Sequence, residues 1–261
     1  MAQQPQFESL RVTAEGTLGR LSLNRPEKLN ALSPSLMQEL VQAARWFDRQ
    51  DDVRVVLVSG AGRAFCAGFD LNAFGGMDRT PPSREDADLG RVMTEQLTNM
   101  RALTLAAIQG RCVGGGVVIA AACDLRLAAE DALFSIPEID MGIPLAWGGI
   151  PRLVREIGPA MTRELVIDCR EFSAAEAQAL GFLNRCVPAG QLAEAAEAWA
   201  KGLAAKAGRL LAVTKRAVNE AAEQLVSSAG AVADADQLLA ALGDPECQEM
   251  SRAYLARRGK P

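Results

Sequence analysis

Two clusters of glycine carry the first sign of chemistry in this chain. Gly60 and Gly62 follow the apolar stretch 53–59 (VRVVLVS), and Gly114, Gly115 and Gly116 follow another, 103–109 (LTLAAIQ). Each cluster leads into the start of a helix, where backbone N–H groups lack an intrahelical partner and point outward at the positive end of the dipole. Two such donors converging on one point would hold a developing oxyanion, each worth about 2.7–4 kcal/mol in a transition state. A phosphate cradle is the rival, but neither GxxxxGK[ST] nor GxGxxG is present. A third reading gives the glycines only tight turns and close packing to do.

Composition narrows the rest. The 261 residues include no histidine, which excludes Ser-His-Asp and Cys-His catalytic sets, histidine-ligated metals and a histidine proton shuttle. Acid–base work falls to carboxylates, Lys, Cys, backbone groups or the single tyrosine, Tyr254. The six cysteines (66, 112, 123, 169, 186, 247) are scattered without a CxxC pair. They read as reduced, mostly buried small hydrophobes, not as a disulfide scaffold or a metal site. A net charge of −4 gives no electrostatic reason to expect nucleic acid or a membrane surface as partner. The first ten residues lack a basic start and an apolar stretch, and the longest nearly apolar run, 113–123, falls short of the roughly 20 residues that span a bilayer. The C-terminal RRGKP is neither a peroxisomal tripeptide nor a prenylation box, so a cytoplasmic location is expected.

The elements that must hold these groups follow from spacing. Residues 11–13 and 19–23 alternate like strands of a hairpin around 14–16. Ser33 and Pro34 read as a helix start, with Leu36, Met37, Leu40, Val41, Ala44 and Phe47 following at helical spacing. The run 53–59 predicts a strand buried on both faces. Residues 74–88 mix Gly, Pro and charge, which suits a loop over a site, and a helix is expected over about 91–100. After the second apolar strand, 103–109, a small-residue helix is expected over 117–123. The order strand, glycine-rich turn, helix thus occurs twice about 50 residues apart, which predicts a stacked or spiral arrangement of ββα units in an α/β fold. Beyond Pro188, helices are expected at 191–206, 209–226, 234–242 and 246–257. The predicted organisation is a core over 1–189 and a helical C-terminal region over 190–261, one continuous globule being the alternative.

Four motifs then identify a resemblance. Residues 23–32 (LNRPEKLNAL) and 62–71 (GRAFCAGFDL) resemble two signature stretches of the enoyl-CoA hydratase/isomerase (crotonase) superfamily. Residues 110–116 (GRCVGGG) with 122–126 (ACDLR) resemble the third, and 134–138 with 148–153 (GGIPRL) the fourth. Residues 211–219 (LAVTKRAVN) are similar to the family's C-terminal helix. The resemblance implies a spiral of ββα turns with a helical trimerisation region, assembly as a homotrimer or a dimer of trimers, and an acyl-CoA thioester as substrate. Coenzyme A would be part of that substrate, and no separate cofactor is implied.

Residue by residue, the resemblance implies that the backbone N–H groups of Phe69 and Gly115 bond the thioester oxygen. Glu27, Lys28 and Leu29 would lie along the CoA moiety, and Ala64, Ala67, Gly68, Asp70 and Leu71 would border its adenine and pantetheine. Lys28 or Arg63 would face CoA phosphates, unless each is simply a solvated surface cation. Gly114 would belong to the second donor turn. Phe69 is bulkier than the alanine common in hydratases.

The acids mark a departure from the pattern. Hydratases of the family carry two glutamates that hold a water. Here the first position is Val118, and the second is Glu138. One carboxylate suffices to move a proton from C2 to C4 without water, and isomerases of the superfamily resemble this chain in keeping one glutamate. An apolar wall of Val118, Ile143, Leu145 and Trp147 would raise that carboxylate's pKa. Asp140, two residues on, is the nearest competitor if the segment is extended. The dienoyl-CoA isomerase pattern places further acids at Val118 and Ala146, where none stands. The reading is therefore an acyl-CoA enzyme favouring 3-enoyl to 2-enoyl isomerisation, with hydration as the alternative within the family. A non-catalytic acyl-CoA-binding protein is the alternative of another class.

Overall fold

A computed structural model describes residues 4–70 and 82–258. It opens with a hairpin, β1 (Leu10–Glu15) antiparallel to β2 (Leu18–Leu23). The turn falls at Gly16 and Thr17, at the end of the expected 14–16, because Gly16 supplies the positive φ of 57°. Four further strands extend this sheet in parallel: β3 (Val55–Gly60), β4 (Leu103–Ile108), β6 (Leu125–Ala129) and β9 (Arg185–Val187). The order among the described residues is β1-β2-β3-β4-β6-β9. A small second sheet joins β5 (Arg111–Val113), β7 (Leu133–Ser135) and β8 (Phe172–Ser173).

Helices make the crossovers that parallel pairing demands. Helix α1 (Pro34–Asp48) links β2 to β3, and α2 (Arg84–Asn99) precedes β4. β5 and α3 (Gly115–Ala122) lie between β4 and β6. Ser33 caps α1 by accepting the Leu36 N–H, and the apolar side chains at the anticipated spacing are buried. Helix α2 begins seven residues before the expected start. Ser83 and Asp86 form a reciprocal capping box there, so residues 84–88, read as loop for their charge, open the helix, with Arg84, Glu85 and Asp86 exposed and Ala87 buried. The rest of that anticipated loop, 74–81, lies outside the described residues.

The sheet is apolar on both faces, as a parallel sheet must be when covered twice. Val56, Val58, Ala106 and Ile108 face the larger core with α1 and α3. Leu57, Leu105 and Leu127 face the opposite way, against Leu192, Ala196, Ala200 and Ala204 of α6 (Leu192–Ala204). Two helices ahead of β9 complete the frame: α4 (Gly149–Asp168), broken at Gly158 where φ is 73°, and the short α5 (Ala174–Ala179). The C-terminal helices are α7 (Gly208–Leu225), α8 (Asp234–Gly243) and α9 (Pro245–Arg258). Among the described residues no single helix is long and apolar enough to cross a membrane.

Candidate active site

The site forms where residues 65–70 run between two other segments. On one side, Ala67 N–H donates to Leu29 O (2.9 Å), Leu32 N–H to Gly68 O (2.8 Å) and Asp70 N–H to Leu32 O (3.0 Å). On the other, Cys66 N–H donates to Arg111 O (3.1 Å) and Val113 N–H to Cys66 O (2.9 Å). Phe69 lies between the two bonds to Leu32, so alternation along extended chain aims its own N–H away from Leu32. Gly68, at φ 86°, has no room for a side chain, since a β-carbon there would stand 2.8 Å from Val113 O and 3.8 Å from Gly115 N. The turn at Gly68 therefore lies close against Val113 and the start of α3. Gly115 is the first residue of α3, and its N–H has no intrahelical acceptor.

Asn30 fixes the outer edge of this arrangement. Its backbone is left-handed (φ 56°) and its side chain is fully buried. Its amide donates to Ala61 O (2.9 Å) and Ala64 O (2.8 Å), while its Oδ1 accepts from Arg25 N–H (2.9 Å). Sequence reading passed over Asn30 as a working residue. The signal was an asparagine beside a glycine-rich turn, a side chain that tolerates the left-handed region and bonds backbone.

Glu138 lies beside Gly114. A β-carbon at Gly114 would overlap the Glu138 carboxylate, and the turn is possible only because glycine takes φ 50° there. Oε2 is shut off from solvent and accepts no hydrogen bond among the described residues. Burial pushes the carboxyl pKa up to about 7, only partly offset by a backbone hydrogen bond. The segment after it is a turn, not extended chain: Met141 N–H donates to Pro137 O and Ile143 N–H to Glu138 O, both at 3.0 Å. Asp140 is thereby turned outward and exposed, which removes the shared-face argument for it.

The remaining anticipated residues differ in placement and burial. Val118 is fully buried, and a β-carbon at Gly149 would lie 3.0 Å from both its Cγ2 and Leu145 Cγ, so it packs against the start of α4. Trp147 covers Gly115, and its ring meets Phe69 edge to face with centroids 6.1 Å apart. Glu27 and Lys28 stand exposed on a short 3-10 turn (Pro26–Lys28), Arg63 is exposed, and Leu29 and Ala67 are half-buried. Ala64 is buried, and Asp70 is buried in an ion pair with Arg25 (2.9 Å). Leu71 lies outside the described residues. Cys66 is no nucleophile here, since complete burial pushes its thiol up to about 12.

This geometry has close relatives. Residues 13–261 match the family model for enoyl-CoA hydratase/isomerase. The chain is 35% identical over 221 residues to the "Probable enoyl-CoA hydratase echA8" of Mycobacterium bovis, covering 85% of each protein. It is 36% identical over 190 residues to the peroxisomal Delta(3,5)-Delta(2,4)-dienoyl-CoA isomerase of Arabidopsis thaliana, covering 69% of this chain and 68% of that one. A crystal structure of an enoyl-CoA hydratase/isomerase from Xanthobacter autotrophicus Py2 superposes with a TM-score of 0.86 at 28% identity, over 97% of this chain and 98% of the other. With a mostly parallel α/β frame, two juxtaposed glycine turns and a glutamate beside them whose Oε2 is shut off from solvent, the chain belongs to the enoyl-CoA hydratase/isomerase family of enzymes.

Proposed function

We propose that this enzyme isomerises 3-enoyl-CoA thioesters to 2-enoyl-CoA, with Glu138 as its single acid–base group. The observation that carries the reading is a buried carboxylate beside the N-terminus of α3 while Val118, a packed hydrocarbon, occupies the position of the hydratase pattern's other glutamate. The thioester oxygen accepts from Phe69 and Gly115 N–H. Glu138 removes a proton from C2, and the electron pair moves into the carbonyl to give a dienolate stabilised by the two donors. The same carboxyl returns the proton at C4, leaving a double bond between C2 and C3. A carboxylate with a pKa near 7 suits both halves, being basic enough to take the proton and acidic enough to release it.

The CoA moiety runs along Glu27, Lys28 and Leu29 and past Ala64, Ala67 and Gly68. Asp70 contributes to this border by holding Arg25. Assembly as a homotrimer or a dimer of trimers belongs to the same reading, supported by Leu210, Val213, Val218 and Leu225, which α7 leaves exposed. Hydration of 2-enoyl-CoA is the second reading, and the hydratase name of the mycobacterial relative favours it. Assaying 3-enoyl- and 2-enoyl-CoA side by side separates the two. Faster double-bond migration than water addition supports isomerisation. Rapid hydration without migration replaces it with the second reading.

A further inference from the structure

Trp147 occupies an unusual place for so large a side chain. Its backbone is left-handed, with φ 62°, a conformation that disfavours any residue with a β-carbon. Three elements hold it there. Thr94 Oγ1 of α2 donates to Trp147 O (2.9 Å), Arg152 of α4 donates to Trp147 O (3.3 Å) and Gly148 O (3.0 Å), and Asp234 of α8 accepts Gly148 N–H (2.7 Å). The indole is pressed between two glycines. A β-carbon at Gly90 of α2 would overlap its fused ring bond, and one at Gly115 of α3 would overlap its six-membered edge. Leu32 adds a methyl 3.0 Å from the same point on Gly115.

Gly115 is also the residue whose N–H would bond the thioester oxygen. Glu138 stands against Gly114, and the indole stands against the adjacent Gly115. Phe69, the other donor residue, turns its ring edge to face toward the same indole, with centroids 6.1 Å apart. An alkyl chain threaded between the two rings would need about 4 Å to each of them, which that spacing does not leave. We infer that Trp147, backed by Phe69, is the end wall of the acyl pocket and restricts the enzyme to short-chain acyl-CoA thioesters. The inference rests on the acyl-CoA reading above and names its substrate class.

Two replacements test it, Trp147→Phe as the conservative variant and Trp147→Leu as the opening one, each verified as folded by circular dichroism. The binding probes are saturated butanoyl-, hexanoyl-, octanoyl- and dodecanoyl-CoA, titrated calorimetrically into the full-length protein, so the result does not depend on which reaction occurs. The parent is expected to bind the two shorter thioesters at least about ten-fold more tightly than dodecanoyl-CoA. Trp147→Leu should erase that ratio, and Trp147→Phe should reduce it to an intermediate value. Kinetics with the matching enoyl-CoA substrates should show the same graded shift in kcat/KM. A parent that binds all lengths alike overturns the inference alone, as does a folded Leu variant that keeps the parent's length preference. Absence of binding by every acyl-CoA overturns the reading on which the inference rests.

Discussion

At the scale of residues, Glu138 as the proposed base ties turnover to stability. Glu138 must be ionised to take a proton, so kcat/KM for 3-enoyl-CoA should fall about ten-fold per pH unit below about 7 and level off above it. The same burial has an opposite effect on the fold. A carboxyl whose folded pKa lies above its unfolded value stabilises the native state fully below the unfolded pKa, near 4.5, and that contribution is lost as pH rises through about 7. The loss is on the order of 3 kcal/mol. Glu138→Gln should remove it, giving a urea midpoint that changes less between acid and neutral pH than the parent's. Glu138, Gly115 and Val118 were legible in sequence because motif position alone marks them. The clamp on Trp147 was not, because it joins α2, α4 and α8, whose residues Thr94, Arg152 and Asp234 are far apart in the chain.

At the scale of elements, local chemistry set the boundaries that spacing could not. Helix α1 was legible because a capping serine, a proline and an apolar stripe all agree. Helix α2 was only half legible, since its capping turn is rich in charge and resembles a loop. The short strands β5 and β7 carry three residues each, too few for a period to show, and they exist because they pair with each other ahead of the turn at Gly114. Ser33→Ala should cost about 1 kcal/mol of stability by urea unfolding, with acyl-CoA binding retained, because it removes a cap and leaves the site's contacts in place. Gly114→Ala should act differently. It forces a β-carbon into the Glu138 carboxylate at a positive φ, so turnover should fall at least ten-fold while the circular dichroism spectrum remains that of the parent.

At the scale of the whole molecule, the C-terminal helices are tied to the sheet by buried charge as well as by apolar packing. Lys215 of α7 is buried, and its ammonium pairs with Asp124 (2.8 Å) and donates to Ala102 O (3.0 Å). Asp124 also accepts from Thr104 N–H (2.6 Å) and Thr104 Oγ1 (2.8 Å) at the edge of the strands. Asp124→Ala leaves the ammonium buried without its partner and should cost about 3–5 kcal/mol in urea unfolding. The Asp124→Ala, Lys215→Met pair should recover part of that loss. The amphipathic pattern gave the helices of this region within a residue or two, yet it could not show α6 closing the second face of the sheet. Nor could it show α9 reaching the turn that follows Glu138, where Ser251 donates to Met141 O. Such contacts depend on how helices pack, which their periodicity does not encode.

The most direct test is kcat/KM for isomerisation of 3-enoyl-CoA by the parent and by Glu138→Gln near neutral pH, with acyl-CoA affinity measured on the same preparations. Glutamine keeps the shape and removes the base, so turnover should drop by about 10²–10⁴-fold with affinity little changed. A glutamine variant that isomerises within a few-fold of the parent would show that some other group moves the proton.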